Sequence, residues 1–274
     1  MVEQILRKLP SFRGKQRLAK MLLKNKIATL IDVIVNDRNG CVFKIPNIKE
    51  NIGFELFIYG EYEPEIIKHI LGAIPENGVM LDIGANIGAI AIPVCKQRKD
   101  IVAICVEASP RVFSYLKFNI EKNSLENCKL KNYAVTENDN KTVDFFSPVE
   151  LFGKGSLTSV FTQDSEKVVT ISLDSLITQN CTKKVDLIKI DIEGHEYGAF
   201  KGGAAVLSMP DSPDILFEFV DWAEELANNC KPGDAQQLLM DYGYKLFQLN
   251  RKGNLSELRT PLIKGAAMIF ATKK

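Results

Sequence analysis

The stretch Val79–Gly88, VMLDIGANIG, decides how the chain is read. Val79, Met80 and Leu81 have the continuous apolar character of a buried strand end. Asp82-Ile83-Gly84-Ala85-Asn86-Ile87-Gly88 then reads as a glycine-punctuated turn into a helix expected from Ala89 to about Gln97. A strand that turns on glycines and opens a helix brings backbone N–H groups close to a ligand, and Gly84 and Gly88 are expected to leave room for that approach. The dinucleotide fingerprint G-x-G-x-x-G is not met, because Asn86 replaces its middle glycine and Gly88 comes one residue early. A pyrophosphate cradle, and with it a nicotinamide-dependent enzyme, is therefore disfavoured.

With Asp82 at the strand end, the pattern D-x-G-x-N-x-G resembles motif I of S-adenosylmethionine-dependent methyltransferases. The methionyl end of that cofactor carries an ammonium, a carboxylate and a sulfonium, so an acid beside exposed N–H groups suits it better than a phosphate cradle does. A plain capped turn with no ligand would leave the motifs downstream unexplained.

A chain of 274 residues with 25% charged residues can bury a full core as one α/β domain preceded by an extension. The boundaries expected are 1–53 for the extension and 54–274 for the main domain. A net charge of +1 offers no long-range field for nucleic acid, which is not expected as a partner. The charge is uneven: residues 1–26 hold eight Lys or Arg against Glu3 alone, leaving the remainder near −6. Apolar positions at helical spacing (Ile5, Leu6, Leu9; Leu18, Met21, Leu22), interrupted by Pro10 and Gly14, make this arm two short amphipathic helices. They are read first as packing on the domain edge, and alternatively as a weak contact with an anionic membrane surface or partner. Six cysteines without C-x-x-C or metal-finger spacing, several inside apolar runs, point to a reduced, cytoplasmic protein. No stretch has the length of a transmembrane span, and none at the N-terminus has the apolar core of a secretory signal.

From Ile31 to Tyr59 the runs LIDVIV, CVFKIP and FELFIY read as strands, with Asp37-Arg38-Asn39-Gly40 as a hairpin turn. Pro64 opens a helix to about Ala73. Beyond Gly88 the expected order is a strand at Ile101–Val106, a helix from Pro110 to about Lys122, and strands at Leu130–Val135, Thr142–Phe146 and Val168–Leu173. Further strands follow at Val185–Ile190 and Ile215–Glu218, then a helix near Asp234–Asp241 and an antiparallel closing pair at Tyr244–Leu249 and Ala266–Thr272. Strands that are apolar throughout belong to a parallel sheet covered by helices on both faces.

Glu107 ends the second core strand, where an acid can accept ribose hydroxyls. Ala134, in Tyr133-Ala134-Val135, lies at the edge where an adenine ring would rest, and Asn132 is a second source of contacts there. The segment 147–163 is a candidate mobile cover. A second cluster, Leu187-Ile188-Lys189-Ile190-Asp191-Ile192-Glu193-Gly194-His195-Glu196, sets four ionisable groups at the end of an apolar strand, where open α/β sheets bind ligands. A hydroxyl attacks only when its proton can leave, which makes His195 the candidate base, with Asp191 and Glu193 beside it. His69 is read as structural. Glu218, Asp221 and Trp222 are candidates for the acceptor pocket. Asp191 with Glu218 or Asp221 could also hold a divalent cation, although a hydrogen-bonding role is preferred and no metal is predicted.

Together D-x-G-A-N-x-G at 82–88, G-x-Y-E-P-E at 60–65, E-A-S-P at 107–110 and D-L-I-K-I-D-I-E-G-H-E at 186–196 resemble the FkbM-type S-adenosylmethionine-dependent methyltransferases over roughly residues 54–220. The resemblance implies a Rossmann-like class I methyltransferase fold, with a mostly parallel seven-stranded sheet, one strand reversed, and helices on both faces. It implies O-methylation of a hydroxyl on a sugar, glycan or related metabolite. Asp82, Gly84, Ala85, Asn86, Gly88, Glu107, Ala108, Ala134 and Asp191 would hold S-adenosylmethionine, while Asp191, Glu193 and His195 would border the transfer site. A catalytically silent binding module on the same fold is the competing reading, against which the intact acids argue.

Overall fold

The computed structural model describes residues 6–7, 14–181, 183–227 and 230–274. The first amphipathic segment expected of the N-terminal arm lies largely outside them. The second forms α1 (Lys15–Leu22) and α2 (Lys24–Thr29), followed by a hairpin of β1 (Ile31–Asn36) and β2 (Val42–Asn47) and by α3 (Asn51–Ile58). Then come α4 (Pro64–Ala73), β3 (Val79–Ile83), α5 (Ala91–Gln97), β4 (Val102–Val106), α6 (Pro110–Lys122), β5 (Cys128–Lys131), β6 (Ala134–Val135) and β7 (Thr142–Phe146). The chain continues through β8 (Ser165–Ile171), α7 (Leu173–Asn180), β9 (Leu187–Ile190), α8 (Glu196–Lys201), α9 (Ala204–Leu207) and β10 (Asp214–Val220). It closes with α10 (Asp221–Leu226), α11 (Asp234–Asp241), β11 (Lys245–Leu249), β12 (Leu255–Leu258) and β13 (Ala266–Thr272).

The main sheet runs β12-β11-β13-β10-β9-β3-β4-β5. From β5 to β10 all neighbours are parallel, and β13 enters antiparallel between β10 and β11. This is the mostly parallel Rossmann-like α/β sheet expected, with one strand more than seven. The addition is β12, an exposed edge strand paired with β11, whose sequence LSEL lacks the apolar character that reveals a buried strand. Alternation across β3 divides the core: Met80 joins the cluster under α3–α6, while Val79, Leu81 and Ile83 join the one under α7–α11.

Two expectations need correction. FELFIY is not a strand but most of α3, which starts where the Glu50 side chain accepts from Asn51 N–H and is buried on nearly every side, so no 3.6-residue stripe marks it. Leu130–Val135 is not one strand: β5 stays in the main sheet, whereas β6 pairs with β8 in a separate sheet of order β6-β8-β7. The break at Asn132 has a cause, since its amide donates to the carbonyls of Glu107 and Ala108 at 2.7 and 2.9 Å and turns the chain out of the sheet.

The extension is stitched to the sheet by two asparagines one helical turn apart on α6. Asn119 accepts from Lys44 N–H at 2.6 Å and donates to the Lys44 and Ile87 carbonyls, and Asn123 exchanges the same pair of bonds with Val42. Leu6, Ala19 and Leu23 are buried in the cluster that holds Phe43, Met80 and Phe270. Arg7 donates to the carbonyls of Leu56 and Phe57 at the end of α3, so these parts of the basic arm pack on their own domain. Among the described residues no helix is long and apolar enough to cross a membrane.

Candidate active site

A cavity of about 580 Å³ opens at the C-terminal ends of β3, β4, β9 and β10, where a parallel sheet leaves its loops free to meet a ligand. Its lining includes Gly84, Ala85, Asn86, Glu107, Ala108, Ala134, Asp191, Glu193, His195 and Glu218. Ten of the residues singled out from the sequence thus converge on one space although they span 135 positions of the chain.

Asp82 and Gly88 lie elsewhere. Asp82 is fully buried behind the turn, with the Lys189 ammonium 3.5 Å away. Gly84 and Gly88 do have positive φ, +75° and +87°, but what their missing Cβ atoms admit is protein. At Gly84 a Cβ would collide with the Asp191 carbonyl oxygen, and at Gly88 it would sit 2.6 Å from Ile92 Cδ1. The glycines therefore bring β3 against β9 and close the turn onto α5. Asp221 and Trp222 also stand off the cavity. Strand β10 runs to Val220, so Asp221 opens α10 and its carboxylate accepts from Trp222 N–H and Gly265 N–H at 2.7 and 2.8 Å. Trp222 is 40% exposed and meets Phe161 edge-on at 5.9 Å.

At the β4 end of the cavity, Glu107 is 6% exposed and each of its oxygens accepts one backbone N–H, from Asn86 and from Ser109, both at 2.9 Å. Burial pushes its carboxyl up to about 7 against those two bonds. Each carboxylate oxygen offers two lone pairs, so acceptor capacity remains for ligand hydroxyls.

At the opposite end, Glu193 (φ +53°) and Gly194 (φ +95°) turn the chain sharply after β9, setting Glu193 and His195 on the same cavity as Asp191. The turn is fixed by Ile192 N–H, which donates to Glu196 Oε1 at 2.9 Å. Burial pushes Glu193 up to about 7 and Glu218 up to about 8, with Asp191 raising both further. Burial likewise lowers His195 to about 4, so its imidazole is neutral at physiological pH, and its Nε2 lies 3.2 Å from Thr158 Oγ1. Two cations answer the acids. Lys154 lies 2.7 Å from Glu193, and Lys189, held cationic despite burial by Asp82 and Asp191, lies 3.5 and 3.6 Å from them. Asp191, Glu193 and Glu218 bring oxygens within 4.8 Å of one another, a donor set suited to a hard divalent cation, but the Lys154 ammonium already sits on Glu193.

Sequence reasoning gave no role of their own to Lys189, Lys154, Thr158, Tyr62 and Glu63, all at or beside the cavity, although Lys189, Tyr62 and Glu63 stand within its quoted motifs. A lone lysine in the apolar run LIKI did carry a signal, because a buried cation requires a counter-charge. Lys154 and Thr158, in a polar loop, carried none. That loop covers the site as expected of 147–163: Phe152, Gly153, Lys154, Gly155 and Leu157 line the cavity, and the Asn86 amide donates to the Phe152 carbonyl at 3.2 Å.

The methyltransferase FkbM domain matches residues 82–246. Over 191 residues the chain is 29% identical to the hexuronic acid methyltransferase AglP of Haloferax volcanii, covering 69% of this chain and 73% of the relative. Among solved structures, the precorrin-6y C5,15-methyltransferase of Geobacter metallireducens superposes with a TM-score of 0.45 at 12% identity, covering 77% of this chain and 88% of that one. A SAM-dependent methyltransferase of Aquifex aeolicus gives 0.43 at 12% identity, covering 82% and 94%. With the family match extending from the glycine turn through the acidic cluster to β11, the chain belongs to the FkbM methyltransferase family.

Proposed function

We propose that the protein is an S-adenosylmethionine-dependent O-methyltransferase whose acceptor is a hydroxyl of a sugar or glycan, with residues 54–274 as the catalytic domain and 1–53 as an extension packed against it. The observation that carries this reading is the joining, in one cavity, of the Gly84–Asn86 turn and Glu107 with His195 and three carboxylates. Glu107, Ala108 and Ala134 would hold the nucleoside, and Gly84–Asn86 with Asp191 the amino-acid end. When bound, the cofactor supplies an electrophilic methyl group beside a positive charge. The name of the Haloferax relative, a hexuronic acid methyltransferase, supports a sugar as the acceptor class.

His195 is neutral at the moment a hydroxyl needs to lose its proton. In the tautomer whose Nε2–H donates to Thr158 Oγ1, Nδ1 is the unprotonated nitrogen that can accept. Desolvation weakens His195 as a base. The test is His195→Ala, followed by binding of S-adenosylhomocysteine and by turnover on hydroxylated sugars. Binding within about twofold of wild type with turnover lower by about 10² to 10⁴ is the expected outcome. Unchanged turnover would remove His195 from the chemistry and leave Glu193, whose carboxyl is nearer neutrality, as the base.

A further inference from the structure

The cavity has an acid with no assigned work. Glu63, which precedes α4, lines it together with Tyr62, Gly84, Lys189 and Asp191, and its carboxylate has no hydrogen-bond or ion-pair partner among the described residues. Its backbone stands at φ 41°, ψ 57°, in the left-handed region that glutamate rarely adopts because it has neither the missing Cβ of glycine nor the short hydrogen-bonding side chain of asparagine. Glu63 and Glu193 are the two glutamates held this way among the described residues, and both line the same cavity. Glu193 has Lys154 as its partner; Glu63 has none. Strain kept at an unpartnered, half-buried acid points to a ligand that completes it.

The missing partner is positively charged. Burial and the nearby Asp191 push the Glu63 carboxyl up to about 7, and the Lys189 ammonium offsets this only in part. Asp82, the acid that the sequence offers to the cofactor, cannot serve, being fully buried and paired with Lys189. Asp191 already has Lys189 3.6 Å away, and Glu193 and Glu218 both feel Lys154. On the Gly84 side of the cavity, Glu63 is left as the carboxylate with no ion pair of its own among the described residues, Lys189 acting on it only at longer range than on Asp82 and Asp191.

We propose that Glu63 is a binding residue for the α-ammonium group of the cofactor's amino-acid end, taking the role that the sequence motif assigns to Asp82. The proposal rests on the S-adenosylmethionine reading above. It makes the G-x-Y-E-P-E segment at 60–65 part of the cofactor site, with Pro64 fixing the helix start that holds Glu63 in place.

Calorimetric titration of wild type and Glu63→Gln with two probes tests it. S-adenosylhomocysteine carries the ammonium, whereas 5′-methylthioadenosine has the same nucleoside and sulfur but no amino-acid end. Glu63→Gln is expected to weaken S-adenosylhomocysteine by about ten- to a hundredfold, the scale of a hydrogen bond to a charged group. Binding of 5′-methylthioadenosine should stay within about twofold, which also shows that the variant is folded. Equal loss of both probes would make Glu63 a structural residue, and loss of neither would remove it from the site; either result overturns the proposal. Wild type that binds neither probe would instead overturn the cofactor reading itself, and the proposal with it.

Discussion

Lys189 Nζ lies 3.5 Å from Asp82, 3.6 Å from Asp191 and 3.4 Å from the Gly84 carbonyl, with the Lys189 and Asp82 side chains essentially out of water. Such a pair does little for net stability, because desolvating both charges offsets their attraction; removing one member leaves the other as an isolated buried charge. Lys189→Met should therefore lower the unfolding free energy by about 3–5 kcal/mol, while Lys189→Met with Asp82→Asn should recover at least half of that loss. Urea unfolding of wild type, both single variants and the double variant measures the coupling, and strictly additive losses would show that the two residues do not act as a pair. The same residues mark how far the site was legible in sequence. Asp82 announced itself as an acid at a strand end, but whether a strand-end acid faces a ligand or a lysine 107 positions away is decided by register, which adjoins β3 and β9 with Asp82 opposite Lys189. His195, Asp191 and Glu193 were readable because ionisable groups leaving an apolar strand have no packing use. Lys154 and Thr158 were not, since nothing local distinguishes them from any polar loop residue.

Between residue and fold stands the segment 147–163. It is held over the cavity by Lys154 on Glu193, by Thr158 on His195, and by buried Phe152, whose carbonyl accepts from Asn86. At its base Arg111 donates to the carbonyls of Ser147 and Pro148, and Asn47 to those of Val149 and Glu150. The base contacts belong to the fold, whereas the two near the cavity latch its centre. Lys154→Ala combined with Thr158→Val should leave the unfolding midpoint within about 4 °C of wild type. Local opening should become about tenfold more frequent for each 1.4 kcal/mol lost, read as faster proteolytic cleavage inside the segment. Unaltered cleavage would place the hold on the loop at its base instead. Elements of this kind also show where pattern reading works. Helix α6 was legible at both ends because Ser109 caps it by accepting from Val112 N–H and Pro110 occupies its first turn. Helix α3 was not, since burial on nearly every side erases the periodicity that separates helix from strand, and β6 was read as one strand with β5 because pairing is a property of two segments.

At the scale of the whole molecule, buried carboxyls outnumber the cations near them among the described residues. Burial pushes Glu63, Glu107, Glu193 and Glu224 up to about 7, and Glu196 and Glu218 up to about 8, while it lowers His195 to about 4 and lowers His69. A carboxyl whose folded pKa is raised binds its proton more tightly in the native state, so stability is greatest below the unfolded value of about 4.5 and declines as pH rises through 7–8. The histidines act in the opposite sense, adding stability as pH rises towards about 6.5, above which they are neutral in both states and contribute no further slope. Between pH 6.5 and 8 the histidines no longer oppose the six raised carboxyls, and the unliganded protein should lose stability with rising pH. Each group that ionises independently contributes about 1.4 kcal/mol for every tenfold by which folding tightens its hold on the proton. Thermal unfolding at pH 6.5, 7.25 and 8 checks the sign, and a midpoint that climbs over this range would contradict it. If a cationic ligand is what these acids await, saturating S-adenosylmethionine should raise the midpoint more at pH 8 than at pH 6.5. S-adenosylhomocysteine, which lacks the sulfonium charge, should show a smaller dependence, and an equal dependence for the two would place that charge away from the acids.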